Sequence, residues 1–190
     1  MYYLNTDTPR QLFAEAVNSK FYVDKSGMIE LVSGRIRTAN KYICITRPRR
    51  FGKTVNAAML GAYYMKGTDS ADLFDRLLIS TRPKERKHRN QYQVVFIDFS
   101  RMPDFCWNYQ EYITNVIDNM KSDLCEAYPA LREKTYRSIS QMFVDTKDTF
   151  IFIMDEWDWV FGQSFMKEEQ KVSYLQFLKG LLKDQPYVGL

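Results

Sequence analysis

Ile45-Thr46-Arg47-Pro48-Arg49-Arg50-Phe51-Gly52-Lys53-Thr54 is the stretch on which the reading of this chain turns. It joins a short apolar run, Tyr42-Ile43-Cys44-Ile45-Thr46, to a segment from Thr54 to Lys66 that is apolar around most of its circumference. The run reads as a buried strand and the segment as a buried helix, with Gly67 as its C-terminal cap. Strand, then a loop ending Gly-Lys-Thr, then helix is the context that a phosphate-binding loop of the form G-x-x-x-x-G-K-[ST] demands. The residue types follow from the chemistry. Gly52 has no side chain, so backbone can close around phosphate oxygens. Lys53 reaches the β- and γ-phosphates, and the Thr54 hydroxyl is of the kind that ligates Mg2+. The helix that begins there, with Val55 in its first turn, points N–H groups and a positive dipole end at an anion. The first glycine of the pattern is absent, and Arg47 stands in its place, followed by Pro48, whose ring fixes φ. The expected nucleotide-contacting residues are Arg47, Pro48, Arg49, Arg50, Phe51, Gly52, Lys53, Thr54 and Val55.

Two further runs resemble the first: Val94-Val95-Phe96-Ile97-Asp98-Phe99 and Phe150-Ile151-Phe152-Ile153-Met154. All three are apolar without alternation, which is how strands of a parallel sheet read when helices cover both faces. Between and after them the period is helical. Tyr109, Tyr112, Ile113, Val116, Ile117, Met120 and Leu124 recur at three- and four-residue steps, as do Tyr174, Leu175, Leu178, Leu181 and Leu182. Alternating strands and helices predict an α/β fold. The third run ends in Asp155-Glu156, the pattern of an acidic pair at the carboxyl edge of a nucleotide-binding sheet. Asp155 is the expected Mg2+ ligand beside Thr54, and Glu156 the expected general base toward an attacking water. Asp158 either orients water or metal or caps the next turn. Asp98 is either a supporting group at the same edge or a solvated strand end.

Composition limits the alternatives. A chain of 190 residues, 45% hydrophobic and 26% charged, supports one globular domain with a real core. No stretch approaches the length of a membrane span, and the start does not read as a secretory signal. Three widely spaced cysteines form neither a disulfide framework nor a metal cluster, which fits a reducing, cytoplasmic compartment. The net charge is +4. One basic run, Arg82, Lys84, Arg86, Lys87 and Arg89, reads either as a nucleic-acid contact or as a solvated connector, and it lacks interleaved aromatics that would stack on bases.

The chain resembles the AAA-ATPase-like family of bacterial and archaeal proteins. The segments that carry the resemblance are Phe21-Tyr22-Val23-Asp24-Lys25-Ser26-Gly27, Ile45-Thr46-Arg47-Pro48-Arg49-Arg50-Phe51-Gly52-Lys53-Thr54, Val95-Phe96-Ile97-Asp98-Phe99-Ser100 and Ile153-Met154-Asp155-Glu156-Trp157-Asp158. In that family the R-P-R-R-F-G-K-[ST] loop is itself a signature, and the position of Trp157 is usually tyrosine. The resemblance implies the three-layer P-loop NTPase sandwich with a mostly parallel sheet. It implies ATP with Mg2+ as cofactors, ATP hydrolysis in the full-length protein, and frequent fusion to a nuclease-like domain of the PD-(D/E)XK type. It further implies that Tyr22, Asp24 and Lys25 close the base pocket.

The expected organisation is one domain over 1–190, with 1–40 packing near the base and 41–190 as core. The acidic pair suggests the branch in which a fourth strand, beginning near Tyr187-Val188-Gly189-Leu190, inserts between the first and third runs. The chain is therefore expected to be the N-terminal part of such an ATPase. A nucleotide-gated switch with little turnover and a basic nucleic-acid binder are the alternatives, and association with further copies is left open.

Overall fold

The computed structural model describes residues 1–46, 48 and 51–190. Expectations that fall on Arg47, Arg49 and Arg50 lie outside the described residues.

The second and third apolar runs form strands β1 (Gln93–Asp98) and β2 (Phe150–Asp155). They pair in parallel, from Gln93 opposite Phe150 to Asp98 opposite Asp155. Side chains alternate between the two faces, and each face finds its own core. Val94, Phe96, Ile151 and Ile153 join residues of α1 (Thr8–Val17), α2 (Met28–Ser33), α3 (Lys53–Tyr64) and α4 (Ala71–Phe74). Val95, Ile97, Phe99 and Phe150 join residues of α5 (Tyr109–Ala127), α6 (Ile139–Thr146) and α7 (Glu168–Leu182). Helices on both faces explain why neither strand shows an alternating sequence. The amphipathic spacing read in α5 is realised: Tyr112, Ile113, Val116, Met120 and Leu124 are buried.

Two chain segments extend the sheet without forming full strands. Leu4 bridges antiparallel to Val95, and Asn5 N–H donates to the Val94 carbonyl. This N-terminal edge is held by Asp123 of α5. Its buried carboxylate accepts the backbone N–H groups of Tyr2, Tyr3 and Leu4. At the other end, residues 187–190 lie along β2. Phe150 N–H donates to the Tyr187 carbonyl, Gly189 N–H to the Phe150 carbonyl, and Phe152 N–H to the Leu190 carbonyl. In place of the strand expected there, the segment makes an isolated parallel bridge between Val188 and Phe150.

The first apolar run departs from expectation. Residues 41–46 have no regular secondary structure and join no ladder. Tyr42, Ile43 and Ile45 are 47%, 36% and 40% exposed, whereas Phe150 and Ile151 are fully buried. The run is tied to the body by side chains instead. Lys41 Nζ donates to the Val188 carbonyl at 2.7 Å, and Tyr42 OH donates to the Leu182 carbonyl at 2.9 Å. An apolar run becomes a strand only where a neighbouring backbone offers complementary groups at the right spacing; here nothing does, and the run is not paired with β2.

Candidate functional site

Gly52 sits immediately before α3 with φ 76° and ψ 29°. This is the left-handed region, open to glycine at little cost and unfavourable to residues with a Cβ. The first bond of the helical ladder runs from Asn56 N–H to the Gly52 carbonyl at 3.0 Å. The N–H groups of Lys53, Thr54 and Val55 precede that ladder, and no side chain caps the helix. Among the described residues these donors have no partner outside the helix, and a helix start beside Lys53 suits a polyanion.

The acidic pair lies at the carboxyl end of β2. Asp155 is buried, and one of its oxygens accepts the Glu156 N–H at 3.1 Å. Glu156 turns the chain sharply, with φ 49°, and its carbonyl accepts the Trp159 N–H at 2.9 Å. A non-glycine residue held at positive φ costs on the order of 1 kcal/mol and persists only where its surroundings fix it. Here a turn over Trp159–Gly162 follows at once.

Loop and acids meet at one cavity of about 600 Å³. Its polar lining comprises Lys41, Thr46, Lys53, Asp155, Glu156 and Asp158. Its apolar lining comes from the unpaired run (Ile43, Ile45), from α3 (Ala57, Leu60), from β2 (Phe152, Met154) and from α7 (Leu178, Leu182). The unpaired run is thus one wall of the cavity, with β2 and α7 contributing the others. A second hollow of about 480 Å³, over Tyr136, Ser140 and Gln185, shares no residue with it.

A Gly-Lys-Thr helix start and an acidic strand end meet at one cavity, and comparison with known proteins identifies the family. The family model described as predicted AAA-ATPase matches residues 11–185. The chain belongs to the AAA-ATPase-like family. Membership implies nucleotide binding. No curated protein and no solved structure matches the chain. No helix among the described residues is long and apolar enough to cross a membrane.

In this AAA-ATPase-like chain the remaining expected residues sit as follows. Phe51 and Thr54 are exposed, Pro48 is exposed, Val55 packs on the helical core, and none of the four lines the cavity. Tyr22 packs edge-on against Phe13 with ring centroids 6.0 Å apart. Burial, and then the charge of Asp24, push its hydroxyl up to about 12. Asp24 is occupied structurally: one oxygen accepts the Ser26 N–H at 2.8 Å and the other the Leu78 N–H at 2.6 Å. Partial burial works against its charge, but those bonds prevail and hold its carboxyl below the usual range. None of Tyr22, Asp24 and Lys25 lines the cavity. Lys25 lies at the loop, its Nζ 3.1 Å from the Phe51 carbonyl. Of the apolar residues near that segment, Ile29 is in the core and Leu31 is 70% exposed.

Asp98 is engaged locally, accepting the Ser100 N–H and hydroxyl and pairing with Arg101 at 3.3 Å. Asp158 occupies the N-cap position of the Trp159–Gly162 turn without a side-chain cap bond, and lines the cavity. The basic run forms a 3₁₀ turn over Pro83–His88, and its two ends are paired, Arg82 with Glu30 and Arg89 with Asp75. Lys41 and Thr46 line the cavity although no motif singled them out. Thr46 carried one available signal, as the last residue of the run before the basic loop.

Proposed function

We propose that the chain binds ATP with Mg2+ at the cavity between the 41–46 segment and β2. In the full-length protein it hydrolyses ATP, coupled to a partner or to a nuclease-like domain. One observation carries the reading: Lys53, at the start of α3, and Asp155–Glu156, at the end of β2, line the same cavity although they come from distant parts of the chain. In this reading Gly52, Lys53 and the first N–H groups of α3 hold the phosphates. Asp155, which lines the cavity, and Thr54, exposed one residue beyond Lys53, would be the hard oxygen donors for Mg2+, with phosphate and water supplying the rest. The metal supplies charge neutralisation on the phosphates when bound. Glu156 accepts a proton from the attacking water. The larger fold fits the same reading. The 187–190 segment bridges β2 and is touched by Arg37 N–H at Gly189 and by Lys41 at Val188, which supports a P-loop sandwich with an added strand between the loop strand and the acidic strand.

The test is calorimetric titration with ATP in the presence of Mg2+, together with turnover. Lys53→Ala is expected to weaken binding by roughly 10- to 100-fold, the loss of a charge-assisted contact of about 1.5–3 kcal/mol. Glu156→Gln is expected to keep binding while turnover falls. Unaltered affinity in Lys53→Ala refutes the site, unaltered turnover in Glu156→Gln removes Glu156 from the role of base, and a wild-type chain that binds ATP with negligible turnover replaces the ATPase with a nucleotide-gated switch.

A further inference from the structure

The residues on either side of Lys25 are both clamped to one distant turn. Asp24 accepts the Leu78 N–H at 2.6 Å, and the Ser26 hydroxyl oxygen accepts the Ile79 N–H at 3.0 Å. Ser26 is fully buried, and a Cβ on Gly27 would come within 3.1 Å of Leu78 Cδ2, so the segment is seated closely on that turn. Between the two clamps Lys25 stays exposed and spans to the loop. Its Nζ donates to the Phe51 carbonyl at 3.1 Å and lies 3.5 Å from where a Cβ on Gly52 would be. An ammonium has three donors, and the carbonyl takes one. Among the described residues no carboxylate lies within salt-bridge distance of it.

That placement is electrostatically unfavourable by itself. The loop already carries Lys53 and, in sequence, Arg47, Arg49 and Arg50. A fifth cation beside it adds repulsion that water and salt screen in part and that an anionic ligand turns into attraction. A purine offers a lysine only neutral acceptors and π-faces, which offset such repulsion less than the full negative charges of a polyphosphate do.

We infer that Lys25 is a phosphate-contacting residue, presented to the nucleotide's phosphates from outside the loop and braced against the Phe51 carbonyl, and not part of the base pocket. This deepens the ATP-site reading and rests on it. The clamped Asp24 and Ser26 fix where the lysine backbone sits, so that its side chain alone spans to the loop. Together Lys25 and Lys53 approach the loop from different elements, the segment before α2 and the start of α3.

The experiment uses the full chain with Mg2+ and two probes, ATP and inorganic tripolyphosphate, against wild type, Lys25→Met and Lys25→Arg. Thermal melts serve as the folding control. Lys25→Met is expected to weaken both probes by the same factor, roughly ten-fold for one charge-assisted contact. It should also flatten the dependence of affinity on salt, while Lys25→Arg restores most of both. A loss for ATP with tripolyphosphate unchanged overturns the inference in favour of a base-side role. Equal loss with an unchanged salt dependence overturns it in favour of a purely structural brace. A wild-type chain that binds neither probe overturns the ATP-site reading itself, an outcome distinct from the other two.

Discussion

Tyr42–Thr46 and Phe150–Met154 are near twins as sequences, yet they end in opposite circumstances. The second is hydrogen-bonded on both edges, to β1 on one side and to residues 187–190 on the other, and its first two residues are fully buried. The first has no regular secondary structure, joins no ladder and leaves its apolar side chains between a third and a half exposed. Composition does not separate them. What separates them is the neighbouring backbone: burial of side chains favours either element, but only paired N–H and C=O groups make a strand. The functional consequence is that the unpaired run becomes a cavity wall, and the paired one becomes the fixed platform that delivers Asp155 and Glu156 to that cavity.

Truncating one residue in each run separates the two most sharply. Phe150 is fully buried and packs edge-on against Phe143 at 5.0 Å. Phe150→Ala is expected to cost about 3–5 kcal/mol in chemical denaturation, the usual range for a buried aromatic. Ile45 is 40% exposed. Ile45→Ala is expected to cost less than about 1 kcal/mol, as partly exposed sites do. Similar losses at both positions mean that the 42–46 run is packed as a strand in solution, and the contrast fails.

A smaller effect tests whether residues 187–190 act as sheet. A Cβ on Gly189 would meet Thr149 Cγ2 at 2.6 Å and the Phe150 carbonyl oxygen at 3.3 Å. Gly189→Ala is expected to destabilise by about 1–3 kcal/mol through overpacking against β2. Gly180, within α7, has nothing within 4 Å of its added Cβ and serves as the control. Gly180→Ala is expected to stabilise by about 0.4–1 kcal/mol, because alanine loses less backbone entropy in a helix. A neutral Gly189→Ala detaches the tail from the sheet.

The local features were legible because their chemistry is local. Gly52-Lys53-Thr54 needs only its neighbours to announce a helix start, and Asp155-Glu156 needs only the apolar run before it. The α5 face was legible for the same reason, its period being a property of the helix itself. Long-range pairing was not. Nothing in Tyr42–Thr46 records which backbone lies beside it. Nothing in Asp24-Lys25-Ser26 shows that the two flanking side chains bond to Leu78 and Ile79 while the lysine turns to Phe51. Asp123 offered a missed clue. It falls between Met120 and Leu124 on the buried stripe of α5, where a carboxylate needs partners, and those partners are the N–H groups of Tyr2, Tyr3 and Leu4.

The smallest expected effect concerns how the unpaired run is held. Tyr42 OH donates to the Leu182 carbonyl at 2.9 Å and accepts the Asp184 N–H at 3.0 Å, so one hydroxyl joins the cavity wall to the end of α7. Tyr42 is about half exposed, and water replaces part of what is lost. Tyr42→Phe is therefore expected to lower global stability by no more than about 1 kcal/mol. Its signature is local instead. Amide exchange at Ile43, Cys44 and Ile45 should accelerate with little change along β2, because residues without a ladder open by local rather than global unfolding. Slow exchange at those three amides in the wild type, unaffected by the substitution, would mean that backbone pairing and not the tyrosine holds the wall, and would reduce the difference between the two runs to one of degree.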